Sequence, residues 1–107
     1  MTNKKSRKKR KVGVYILTHH AVQRMCQREI TKMDINTAIN EGTKLYRSGI
    51  VFFFIDENNL SDFMREIMDY LIGVTVLCDP VTKEIITVYR NPDALNDIKL
   101  KPEYAIP

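Results

Sequence analysis

A chain of 107 residues with 44% hydrophobic content buries one core and is too short for two domains of ordinary size. Its formal net charge of +4 is concentrated at one end: Lys4, Lys5, Arg7, Lys8, Lys9, Arg10 and Lys11 are seven of the 17 basic residues, and the rest carries ten bases against 13 acids, a net −3. No apolar run approaches the roughly 20 residues of a membrane-spanning helix, and the short one after the arm ends in Thr18-His19-His20 rather than an export signal, so a cytoplasmic protein without membrane contact is expected.

In chain order, residues 1–11 read as a disordered basic arm, because like charges repel and no apolar side chain is available to bury. Such an arm seeks a polyanion, with Lys8, Lys9 and Arg10 as phosphate contacts, and its binding weakens with salt. Residues 12–91 read as a single α+β domain, and residues 92–107, with Pro92, Pro102 and Pro107, as a C-terminal tail.

Val12 to Leu17 is a short strand by composition, and Thr18 is the N-cap of a helix running to about Arg28. Ala21, Val22, Met25 and Cys26 form its apolar side, while His20, Arg24, Gln27 and Arg28 recur at spacings of three and four as a polar stripe. Thr31 opens a second helix with a capping box closed by Asp34 and a staple between Ile30 and Ile35, and Gly42 suits its end.

Thr43 to Arg47 and Ile50 to Asp56 flank Ser48-Gly49 as a β-hairpin, with Gly49 supplying positive φ. Leu60, Phe63, Met64, Ile67, Met68 and Leu71 then recur at helical spacing. Ile72 to Cys78 and Glu84 to Arg90 form a second hairpin, with Val74, Val76, Ile86 and Val88 on the core face. Thr75, Leu77, Thr87 and Tyr89 lie on the other face, which is polar enough to be solvent surface or a cleft. Cys26 and Cys78, far apart and set among apolar neighbours, read as buried thiols.

The segment His20-Ala21 with Arg24-Met25, Arg28 and Ile30, and the closing strand Ile86-Thr87-Val88-Tyr89-Arg90, resemble the small bacterial family known as domain of unknown function forty-two fifty-eight. Glu29 stands where such sequences usually carry Gly. That family resembles the RelE/ParE-type toxins and the wider set of metal-independent ribonucleases that place N-terminal helices before a small antiparallel β-sheet. The resemblance implies that fold, RNA as substrate and an antitoxin-like protein partner with acidic segments.

The physical chemistry of the stripe agrees with that implication. Metal-independent RNA cleavage needs a base for the 2′-hydroxyl, cationic donors for the charged transition state and an acid for the leaving oxygen. At the start of a helix, His20 meets a dipole that favours the uncharged imidazole a base requires. Arg24 and Arg90 suit the phosphate and Tyr89 the acid, with Arg28 and Thr87 holding substrate. No ligand spacing for a metal is visible and no cofactor motif occurs, so none is expected. The runner-up reading is a non-catalytic RNA- or protein-binding module.

Overall fold

The computed structural model describes residues 10–101. Six strands and four helices alternate along them: β1 (Lys11–Val12), β2 (Tyr15–Leu17), α1 (His19–Arg28), α2 (Lys32–Glu41), β3 (Thr43–Arg47), β4 (Ile50–Phe54), α3 (Asp62–Ile67), β5 (Val74–Cys78), β6 (Glu84–Arg90) and α4 (Ala94–Lys99). One-turn 3₁₀ helices at Glu57–Asn59 and Asp69–Leu71 flank α3. The architecture is α+β around a single sheet of order β1-β2-β6-β5-β4-β3.

That sheet is mixed, not antiparallel. β2 runs parallel to β6, pairing Ile16 with Glu84 and Leu17 with Ile85, whereas every other neighbour is antiparallel. The cause is local: the expected strand from Val12 to Leu17 is split by a turn at Gly13, whose φ is +62°, and its second half docks along β6. Pairing between strands about 70 residues apart leaves no trace in the local pattern of either.

Both helix starts are as the sequence requires. Thr18 Oγ1 accepts from the Ala21 amide at 3.1 Å and donates to the Ile85 carbonyl at 2.8 Å, so the cap of α1 also ties it to β6. Thr31 and Asp34 form a reciprocal capping box, and Ile30 and Ile35 are buried in the same cluster. Gly42 ends α2 for a different reason from the one expected. Its backbone is extended, and a Cβ there would stand 2.4 Å from the Ala38 carbonyl oxygen and 2.8 Å from that of Phe54, so close approach and not positive φ demands glycine. The β3–β4 turn takes positive φ at Ser48 as well as at Gly49.

α1 and α2 cover one face of the sheet, over a core that includes Leu17, Ala21, Ile35, Phe53, Val76 and Val88. The other face is no cleft. α4 lies across it, burying Phe52, Phe54, Ala94 and Ile98, with Leu77 and Tyr89 packed against them. Residues 92–101, part of the tail by sequence alone, thus contribute a third layer. β4 reads as an unbroken apolar run because Val51 and Phe53 face one layer and Phe52 and Phe54 the other.

Three core expectations change. A bulge between Leu77 and Cys78 pairs Cys78 with Ile85, which places Ile85 in the core in place of Ile86. The helix expected between Leu60 and Leu71 is reduced to α3 and its flanking 3₁₀ turns; Leu60 and Leu71 are buried, but Ile67 is exposed. Cys78 is buried as expected, and burial pushes its thiol up to about 12, with Lys83 pulling the other way. Cys26, in contrast, is exposed on α1.

Candidate nucleic-acid interface on the first helix

α1 carries two arginines, two histidines and no carboxylate among His19–Arg28. Ala21 is its buried anchor, with Val22 and Met25 packed against the core; His19, His20, Gln27 and Arg28 face outward. On that outer surface Arg24 links the stripe. Its Nε donates to Nε2 of His20 at 3.4 Å, and Nη1 donates to Oε1 of Gln27 at 3.2 Å, contacts that follow from spacings of four and three on a helix.

The closing strand does not join this group. α1 runs alongside β6 in the same direction, since Thr18 is bonded at Ile85 and Arg28 lies beside Arg90. His20 and Arg28 are eight residues apart, about 12 Å along the axis. Arg90 therefore sits at the far end of α1 from His20, and its guanidinium is engaged in the fold: Nε donates to the Tyr70 carbonyl at 2.9 Å and Nη1 to the Arg28 carbonyl at 3.1 Å. Two backbone groups at the end of α1 and in the second 3₁₀ turn are satisfied by this one side chain.

Tyr89 points to the opposite layer. Adjacent strand residues alternate between faces, so Val88 enters the α1 side and Tyr89 the α4 side, where it pairs with Thr75 across the sheet. Burial raises its phenol pKa above the ordinary value, a hydrogen bond with Thr75 opposes the shift and Asp97 of α4 adds to it. Thr87, opposite Leu77, shares that face. Of the residues expected at one site, the structure brings together His20 and Arg24, places Arg28 on the same helix with Arg90 bonded to its carbonyl, sets Arg90 at the far end of that helix from His20, and puts Tyr89 and Thr87 on the other side of the sheet. Arg10 is exposed beside β1, while Lys8 and Lys9 lie outside the described residues.

Gln27, part of the stripe by spacing, proves to be a direct partner of Arg24. Lys32 and the outward thiol of Cys26 share a cavity with Arg10, a grouping that no spacing announces.

The sequence profile of DUF4258, a domain of unknown function, matches residues 17–90. The chain belongs to this family. The DUF4258 span opens on the last residue of β2 and closes on Arg90, so it takes in α1, α2 and the four strands β3 to β6, and leaves β1 and α4 outside. Glu29, which ends α1, adopts the left-handed conformation with φ 54° and ψ 44°, and its amide donates to the Met25 carbonyl. The turn thus keeps a backbone geometry suited to glycine with a side chain in place. No curated protein and no solved structure matches the chain. Among the described residues no helix is long and apolar enough to cross a membrane.

Proposed function

We propose that this DUF4258 protein is a cytoplasmic RNA-binding module that engages the phosphate backbone through the outer face of α1. The observation that carries the reading is the outward His20-Arg24-Gln27-Arg28 stripe, in which His20, Gln27 and Arg28 are exposed and Arg24 is half-buried, without a carboxylate on its helix, in a body that is otherwise net acidic beyond residue 11. Two guanidiniums one helical turn apart suit successive phosphates, which they hold by paired hydrogen bonds. The basic residues Lys8, Lys9 and Arg10 extend the same electrostatic attraction.

Binding of a single-stranded RNA oligonucleotide, measured across a salt series, tests this. Arg24→Glu with Arg28→Glu is expected to reduce the slope of log affinity against log salt by about 0.7 for each phosphate contact removed. An unchanged slope would remove α1 from the interface.

A second reading, a RelE/ParE-like toxin that is a metal-independent endoribonuclease acting by 2′-hydroxyl attack, is favoured by one observation. The Arg24 guanidinium is bonded to His20, so a phosphate held by that arginine lies beside a candidate base. This version assigns His20 as base and Arg24 as phosphate donor, leaves Tyr89 and Arg90 out of the chemistry, and has solvent water protonate the leaving 5′-oxygen. An antitoxin-like partner with acidic segments would then cover α1. RNA incubated in chelator with the protein and with His20→Ala decides the matter: equal amounts of product from both would end the catalytic version and leave the binding version standing.

A further inference from the structure

Beside α1, on the side of the β1–β2 hairpin, lies a cavity of about 310 Å³. Its floor is made by Leu17, Val22, Met25 and Ile30, all members of the main core or packed against it. Its remaining lining is different in kind: the cations Arg10 and Lys32, contributed by separate segments of chain, and the exposed thiol of Cys26. Among the described residues neither cation forms an ion pair with a carboxylate. Lys32 is moreover the first residue of α2, where the positive end of the helix dipole opposes its charge, and the nearby Asp34 carboxylate is turned to the Thr31 amide as its cap.

We propose that this cavity binds a small amphipathic carboxylate, with its apolar body on the Leu17-Val22-Met25-Ile30 floor and its anionic head between Arg10 and Lys32. The argument is one of complementarity. An apolar concavity of a few hundred Å³ with a few convergent polar groups has the dimensions of a small-molecule site. An alkyl or aryl body gains free energy from leaving water there. Two cations on one rim select a carboxylate over an alcohol of the same length, because charge-assisted hydrogen bonds are the stronger kind. The cavity is separate from the stripe on α1, since neither Arg24 nor Arg28 lines it, and Arg10 alone is shared with the basic residues proposed to attract RNA.

Cys26 supplies a reporter already in place. It lines the cavity and is open to solvent, whereas Cys78 is buried and its thiol resists ionisation, so a neutral maleimide reads Cys26 selectively. The full-length protein is titrated with decanoate below its micelle-forming concentration, and alkylation of Cys26 is followed by intact mass. At a decanoate concentration ten times Kd the rate should fall about tenfold, since only the empty fraction reacts. Decanol should protect far less, and Arg10→Ala with Lys32→Ala should weaken decanoate protection about tenfold. Both positions are on the surface, and circular dichroism confirms that the variant is folded before the comparison is made.

Alkylation that decanoate does not slow would overturn the proposal. So would equal protection of the doubly substituted protein, which would leave apolar contact alone. Protection that grows with protein concentration and not with carboxylate would assign the cavity to a second copy of the chain, and would likewise refute the small-molecule site.

Discussion

Replacing Arg90 by alanine separates the two roles that this arginine has been given, one in chemistry and one in architecture. The structure engages its guanidinium in two bonds to backbone carbonyls, Tyr70 at 2.9 Å and Arg28 at 3.1 Å, which pin the end of α1 and the second 3₁₀ turn to the last residue of β6. A hydrogen bond with a charged donor contributes about 1.5–3 kcal/mol when shielded; both of these are exposed, so water replaces much of what is lost and the pair together is worth about 1–2 kcal/mol. For a domain of this size that lowers Tm by roughly 5–12 °C. Thermal and urea unfolding measure the loss, and RNA affinity at 25 °C is measured beside it. Arg90→Lys should lose about half as much, because an ammonium cannot span both carbonyls in the fixed geometry of a guanidinium. The expected pattern is reduced stability with affinity nearly intact. Unchanged unfolding together with abolished RNA binding or cleavage would show that Arg90 acts on substrate, and the structural argument would fail.

Other consequences follow from single positions. Glu29→Gly should raise stability by about 0.5–1 kcal/mol in urea unfolding, because a left-handed φ costs a side-chain-bearing residue about 1–2 kcal/mol and glycine's extra unfolded-state entropy returns only part of that. Ile98→Ala should destabilise by about 2–4 kcal/mol, since this side chain is 1% exposed against Phe52 and Phe54; a neutral result would mean that α4 does not close the second face in solution. Asp79 accepts from the Thr82 and Val81 amides, which lowers its carboxyl pKa below the ordinary value. Its contribution is therefore present above about pH 4 and lost as pH falls through the lowered value, so Asp79→Ala should destabilise at pH 7 and show a flatter acid limb in the same titration.

What the chain declares locally was legible in one dimension. The N-cap at Thr18, the Thr31–Asp34 capping box and the Ser48-Gly49 hairpin each depend on residues within four positions of one another, and a side chain bonding its own helix start leaves its mark in sequence. The outward stripe of α1 was legible for the same reason, because a 3.6-residue period sorts polar from apolar side chains without reference to the rest of the fold.

The tertiary structure decided everything that depends on what lies opposite. β2 pairs with β6 in parallel because a turn at Gly13 redirects a short strand, and a bulge at Leu77 exchanges Ile86 for Ile85 in the core. The Thr/Tyr face looked polar because its cover is α4, a six-residue helix whose buried contacts are Ala94 and Ile98 and whose short length gives periodicity little to register. The same limit governs the candidate site. Sequence could state that His20, Arg24, Tyr89 and Arg90 have the chemistry of a nuclease, but whether they meet is set by the direction of α1 along β6 and by the alternation of side chains across that strand. Those two facts put His20 and Arg90 at opposite ends of one helix and Tyr89 on the other side of the sheet.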